Sequence, residues 1–220
     1  MRKQVLVIGA GRFGSAVAMT LTESGHDVVV ADKDEAALRH LMDDVADALV
    51  LDGTDEAALE SVGVSNFDVV VVAIASDFEA SVLATVGAKS AGAAHVVAKA
   101  TSATFAKVLR RIGADEVVRP EHDMGVRLAE RLVTPNIVDA FMLGDDHEVV
   151  EVKVADQAAL DGKLSDLELP RRFGVQVIAV HRGDDVHVSP HAGFEIGPGD
   201  RIVVIGQVEA LRRFEGEVGA

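Results

Sequence analysis

The chain of 220 residues predicts an α/β protein, a doubly wound parallel sheet followed by a second, small α+β domain. Three observations carry that expectation. Short β-branched runs alternate with stretches of helical apolar spacing through about the first 120 residues. The runs are apolar on both faces, as strands of a sheet covered on both sides must be. Beyond residue 134 the alternation gives way to further strands with two short helical stretches.

In order, QVLVI (4–8) reads as the first strand and 12–24 as the first helix. DVVVA (27–31), DALVL (47–51), DVVVVAIA (68–75), HVVAKA (95–100) and DEVVR (115–119) supply five more strands. Apolar spacing places helices at 34–43, 55–62, 78–90 and 101–113. RPEHDMGVRLAERLV (119–133) carries one more helix, and TPNIVDAFMLGDDHE (134–148) reads as a break with a proline and a polar turn. EVVEVKV (148–154), VQVIAVHR (175–182), DVHVS (185–189) and DRIVVIG (200–206) are strands, with helices near 164–172 and 207–216. Arg182-Gly183-Asp184-Asp185 is a hairpin turn. The expected domains are 1–134 and 135–220.

Hydrophobic residues make up 49% of the chain and charged residues 26%, the balance of a packed globular protein. A formal charge of −15 excludes nucleic acid as the expected partner, because phosphate neutralisation needs clustered Lys and Arg. It disfavours direct docking on anionic lipid as well. With no cysteine there is no disulfide, thiolate or Cys-based zinc chemistry, and a reducing cytoplasm is the expected location. The N-terminus lacks a signal-peptide pattern. The longest apolar run, VVVVAIA (69–75), falls far short of the roughly 20 residues of a membrane helix.

Gly9-x-Gly11-x-x-Gly14 follows a strand and opens a helix, the Rossmann-like arrangement. Gly9 permits the tight turn, Gly11 lets backbone approach a phosphate, and Gly14 allows close helix packing. The helix N-terminus then offers N–H groups and a positive dipole end. Asp32 ends the second strand, where a carboxylate accepts hydrogen bonds from ribose hydroxyls and repels a 2′-phosphate. It leaves ATP, ADP and NAD open. Asp52, Gly53 and Thr54 end the third strand near where an adenine lies, or form a turn with Thr54 as a helix cap. Ala75, Ser76 and Asp77 end the fourth strand at the chain reversal, with Ser76 a ligand contact or a cap. Lys99 ends the fifth strand, reaching for phosphate or solvated.

No catalytic constellation accompanies this site. The eight histidines are scattered, and Pro190 separates His187 from His191, so they read as surface or interface residues rather than a metal pair. There is no phosphate-loop lysine motif and no nucleophile elbow. The roughly 85 residues after the first domain are few for the substrate domain of a hydride-transfer enzyme. The expectation is a sensor and not an enzyme, with a small NAD-dependent oxidoreductase or an NADH-sensing protein as the alternative on the same fold.

GAGRFG (9–14), Asp32, LDGTD (51–55), AKA (98–100), RPEHDMGVRLAERL (119–132) and PGDRIVVIG (198–206) together resemble the bacterial RCK (KTN) family of regulatory subunits of potassium transporters, of KtrA/TrkA type. The resemblance implies an N-terminal nucleotide-binding lobe with a crossover helix and a C-terminal RCK-C lobe. It implies a homodimer that assembles into an octameric ring on the cytoplasmic side of a membrane-embedded potassium channel or transporter subunit. ATP would activate and ADP inhibit, with NADH as a further effector in Trk-type relatives.

By the same resemblance Gly9, Gly11 and Gly14 cradle phosphate, Asp32 holds ribose, Asp52 and Thr54 lie by adenine, and Lys99 approaches the nucleotide. Phe13, Lys33, Gly53, Ala75 and Ser76 are counted with them. Arg12 would reach the terminal phosphate bound in a neighbouring subunit, and Glu121 would bind magnesium or calcium at the dimer interface. Some members bind cyclic di-AMP in the second lobe, where Val175, Val177, Ile178, Pro190 and His191 correspond.

Overall fold

The computed structural model describes residues 1–74, 77–133, 137–144, 146–155 and 160–218. The chain packs as two units, Met1–Met124 and Gly125–Ala220. In the first, β1 (Gln4–Ile8), α1 (Arg12–Glu23), β2 (Asp27–Asp32), α2 (Glu35–Leu38), β3 (Asp47–Val50), α3 (Glu56–Val62), β4 (Val69–Val72), α4 (Phe78–Ser90), β5 (Val96–Lys99), α5 (Ala103–Arg111) and β6 (Glu116–Val118) alternate. The six strands are parallel in the order β3-β2-β1-β4-β5-β6. That order reverses direction between β1 and β4, where an open α/β sheet places its ligand crevice.

Strand alternation divides the core into two layers. Val5, Val7, Val28, Val30 and Val71 pack under α1 and α2 with Ala18, Leu38 and Leu41. Leu6, Ile8, Val70 and Val72 pack on the opposite face with Leu59, Ala84, Ala88, Phe105 and Leu109 from α3, α4 and α5. Helix α2 ends at Leu38, short of the expected 43. Leu41 and Asp44 instead close three-residue turns onto the carbonyls of Leu38 and Leu41, which keeps Leu41 buried without helix.

Helix α6 (Pro120–Val133) contains the division between the units, which the sequence expectation sets at its end. In the second unit β7 (Ile137–Leu143), β8 (His147–Lys153), β10 (Val175–Arg182), β11 (Asp185–Val188) and β13 (Arg201–Gln207) form an antiparallel sheet ordered β11-β10-β13-β8-β7. β9 (Gly162–Lys163) pairs with β12 (Glu195–Ile196). Val150, Val152, Val180, Ile202 and Val204 pack against Leu211 and Phe214 of α9 (Val208–Val218). The expected turn at Gly183-Asp184 closes the β10–β11 hairpin.

Two expectations for this unit need correction. The helix expected over 164–172 is two single turns, α7 (Leu164–Leu167) and α8 (Leu169–Arg172), because Glu168 between them has φ +46°. Strand β7 lies where the sequence reads as a break: Asp139 interrupts its apolar run, and its register shifts at a bulge between Ile137 and Asp139.

Candidate functional site

The turn after β1 exists because side chains do not fit in it. Gly9 has φ +108°, and a Cβ on Gly14 would stand 1.9 Å from the Gly9 carbonyl oxygen. Gly11 is different: nothing lies within 4 Å of where its Cβ would be. It is the N-cap of α1 and offers no side-chain acceptor, whereas Asp34, Asp55, Asp77 and Ser102 cap α2, α3, α4 and α5 with their own oxygens. The first amides of α1 are therefore left for an anion.

Asp32 ties the end of β2 to this turn. Its Oδ2 accepts from the Ala10 amide at 2.7 Å and its Oδ1 from the Asp34 amide at 2.9 Å. Ser15 Oγ donates to the Ala10 carbonyl at 2.9 Å, and His40 Nε2 lies 3.1 Å from that hydroxyl. The Ala10 residue is thus held through both its amide and its carbonyl.

A cavity of about 510 Å³ opens over the carboxyl ends of the strands. Gly9, Gly11, Arg12 and Phe13 line it from the first turn, with Asp32 at the end of β2 and Lys33 just after it. Asp52, Gly53 and Thr54 follow β3, Lys99 ends β5, and Glu121 comes from the first turn of α6. Gly53 sits tightly, since a Cβ there would meet Ile8 Cγ2 at 2.4 Å. The Thr54 amide and hydroxyl both donate to Asp52 Oδ1, at 2.9 and 2.8 Å. These bonds, the amide's first, hold the Asp52 carboxyl below the usual carboxylate range. The cap of α3 is Asp55, not Thr54.

At the other end Lys99 Nζ lies 2.6 Å from Glu121 Oε1. Gly14 stands behind the turn and not on the cavity wall. Ala75 and Ser76 fall outside the described residues. The cap of α4 is Asp77, which lines the cavity. Ile8, Leu51, Ala73, Ile74 and Ala80 also line it and were not singled out from the sequence. Their apolar side chains carry the same signal as core, and only position distinguishes them: Ile8, Leu51, Ala73 and Ile74 at or just beyond strand ends, Ala80 in the first turn of α4.

Of the five second-domain residues, two are not on the surface. Val175 is 1% and Val177 7% exposed, both packed in the core, so neither is available to a ligand without unpacking it. Ile178 sits at a bulge, half-buried, and His191 is exposed. Among the described residues no group of three or more His, Cys, Asp or Glu side chains is placed to hold a metal ion. Calcium takes six to eight oxygens and magnesium six. Glu121 supplies one carboxylate, hydrogen-bonded by Lys99, and the other oxygens around a magnesium or calcium ion would have to come from phosphate and a second subunit.

Residues 5–120 match the TrkA-N domain family and residues 149–219 the TrkA-C domain family. The chain is 38% identical over 218 residues to the Ktr system potassium uptake protein C of Bacillus subtilis, covering 99% of this chain and 98% of that one. It is 37% identical over 210 residues to the Ktr system potassium uptake protein A of Vibrio alginolyticus, covering 95% and 94%. Among solved structures, the GsuK RCK domain has a TM-score of 0.66 at 16% identity, covering 100% of this chain and 48% of that one. The GsuK channel bound to NAD gives 0.67 at 16% identity, covering 100% and 40%. The chain spans about half or less of those two structures, and the likeness to them is one of fold. No helix among the described residues is long and apolar enough to cross a membrane. With a TrkA-N domain on the parallel sheet, a TrkA-C domain on the small α+β unit and near-complete overlap with both Ktr proteins, this chain belongs to the TrkA-N/TrkA-C family of potassium uptake proteins.

Proposed function

We propose that the chain is a nucleotide-sensing regulatory subunit of a potassium uptake system. The cavity takes an adenine nucleotide, and ATP or ADP, with NAD and NADH as alternative occupants, sets the shape of an assembly. That assembly bears on a membrane-embedded potassium channel or transporter subunit from the cytoplasmic side. The observation that carries this reading is the convergence on one cavity of an uncapped helix N-terminus, a strand-end carboxylate and a strand-end lysine. The names of the Ktr relatives supply the transport system.

In this reading phosphates meet the α1 amides and Lys99, ribose meets Asp32, and the base lies toward Asp52, Gly53 and Thr54. Lys33, Phe13 and the chain around Ala75 and Ser76 border the ligand. Residues 1–134, with α6 as crossover helix, form the nucleotide-binding part and 135–220 the regulatory part. Met124, Leu128 and Leu132 recur every fourth residue along α6 and are 62%, 44% and 71% exposed. An apolar stripe of this kind supports pairing with a second copy. Phe78, Leu83 and Val86 on α4, 55%, 45% and 41% exposed, offer a second contact for growth of the dimer into an octameric ring. Glu121 is assigned to a magnesium or calcium ion beside the phosphates at the dimer interface, and with Val175 and Val177 in the core the reading does not extend to cyclic di-AMP.

The switch needs only differential affinity. A ligand that binds one assembly shape better than another shifts the population, and couplings of about 1–3 kcal/mol suffice. Thermal unfolding with ATP, ADP, NAD and NADH tests the reading, since a ligand at a hundred times its Kd adds about 2.7 kcal/mol. Stabilisation by an adenine nucleotide is expected, and none with any of the four contradicts it. Asp32→Ala should weaken all four together by about 1.5–3 kcal/mol, through lost ribose bonds and an Ala10 amide left without its acceptor. Undiminished titration calorimetry affinities would remove Asp32 from the site.

Arg12, exposed on the first turn of α1, is assigned the terminal phosphate held by a neighbouring subunit. Arg12→Ala should therefore bind ADP nearly as before and lose the preference for ATP. A variant that keeps that preference excludes Arg12 as the phosphate sensor.

A further inference from the structure

Ala10 stands between the first two glycines of the β1–α1 turn, buried, and its carbonyl accepts from Ser15 Oγ at 2.9 Å. A helical serine ordinarily bonds a carbonyl three or four residues back. Ser15 reaches five back, past the start of α1 and into the turn. A peptide unit is planar and trans, so its carbonyl and the N–H that follows point in opposite directions. The Ser15 bond therefore also fixes where the Gly11 N–H points, at a residue that lines the cavity and opens α1. Behind Ser15 stands His40, with Nε2 3.1 Å from the hydroxyl. A hydroxyl has a single proton, and Ser15 gives its own to Ala10. His40 Nε2 is then the donor of the second bond, in the Nε2–H tautomer or as imidazolium. His40 is itself exposed, but its backbone is anchored: Leu38 before it and Leu41 after it are fully buried, and the Leu41 amide bonds the Leu38 carbonyl. Neither Ser15 nor His40 lines the cavity.

We propose that Ser15 and His40 are positioning residues for nucleotide phosphate: the donor chain from His40 Nε2–H through the Ser15 hydroxyl to the Ala10 carbonyl sets the tilt of the Ala10–Gly11 peptide and so aims the Gly11 amide. The inference rests on the nucleotide reading of the cavity and adds to it two residues that never touch the ligand. Donation into the Ser15 oxygen polarises its O–H and strengthens the bond that follows. Asp32 cannot replace the chain. It holds the Ala10 amide, which belongs to the preceding Gly9–Ala10 peptide, and leaves the Ala10–Gly11 unit free to tilt. A hydrogen bond from a backbone N–H weakens steeply as its angle closes, so a small tilt at Gly11 is felt by a phosphate oxygen. Ribose and base do not use that amide. The two residues thus act on phosphorylated ligands and spare the nucleoside.

Titration calorimetry on the full chain tests the chain of donors. ATP and ADP should bind about fivefold more weakly to Ser15→Ala and about threefold more weakly to His40→Ala, the scale of one neutral hydrogen bond. His40→Gln, whose side-chain amide keeps a donor, should recover most of the loss. Adenosine, measured by competition against ATP, should bind wild type and variants alike. Ser15→Ala combined with His40→Ala should be no weaker than Ser15→Ala alone, because His40 acts through the hydroxyl. His40 is exposed, so His40→Ala folds in any case, and its urea midpoint should match that of wild type, which a merely structural role would not allow together with a loss of ATP affinity. Wild-type ATP affinity in either single variant overturns the proposal, as do losses that add in the double variant or an equal loss for adenosine. If wild type itself binds neither ATP nor ADP, the nucleotide reading fails, which is a separate outcome.

Discussion

Gly14→Ala should abolish nucleotide binding and destabilise the first unit by about 3 kcal/mol, the upper end of what overpacking costs. The added methyl would stand 1.9 Å from the Gly9 carbonyl oxygen and 3.1 Å from Ala73 Cβ, so α1 must move off β1 or the turn must open. Gly11→Ala separates packing from phosphate approach. Its methyl meets nothing within 4 Å, and φ −71° suits any residue, so the fold should be intact. Its methyl would enter the cavity rim, and ATP should bind at least tenfold more weakly. Urea unfolding and ATP titration of the two variants check both halves. Gly11→Ala with wild-type ATP affinity would mean that the phosphates do not come to this turn.

Asp200→Asn should cost the second unit about 2 kcal/mol at neutral pH. Asp200 is 4% exposed and accepts from Arg182 Nε at 2.9 Å, Arg182 Nη2 at 2.7 Å and the Gly197 amide at 3.1 Å. Arg182 also donates to the Glu195 carbonyl at 2.8 Å and lies over the Phe194 ring, so one pair gathers β10, β12 and the entry to β13. Breaking a fully buried pair costs about 3–5 kcal/mol, and the 52% exposure of the Arg182 side chain lowers that figure. Arg182, and after it the Gly197 amide, hold the Asp200 carboxyl below the usual range. A depressed folded pKa means that the contribution is present above the unfolded value, about 3.9, and fades as pH falls through the folded one. The gap between wild type and Asp200→Asn in denaturant should therefore narrow below about pH 4. A gap unchanged into acid would show that the carboxylate charge is not what stabilises this turn.

Much of the first unit was legible because its strands are apolar on both faces, which leaves little choice but a covered parallel sheet. Helix α4 was readable to both ends, with Asp77 before it and Gly92 just after. Helix α2 was not, since Leu38 and Leu41 satisfy the same periodicity whether the chain between them is helix or tight turns. Glu168 reads as a helix former, and nothing local announces its positive φ. Within the cavity, the glycines and Asp32 were legible from spacing. The Asp32 bond to the Ala10 amide was not, because a motif speaks of ligand contacts and is silent on what the carboxylate holds without one. The Lys99–Glu121 pair spans two elements and 22 positions, a distance only the fold closes. Val175 and Val177 misled in the opposite sense: apolar residues proposed for a ligand surface are core.

Small-angle scattering of the full chain with saturating ATP and with saturating ADP tests the claim of nucleotide sensing most directly. Two distinct profiles are predicted, converging in Arg12→Ala because the terminal phosphate then has no partner across the assembly. Superimposable profiles from wild-type protein, with calorimetry showing both nucleotides bound, would contradict the account.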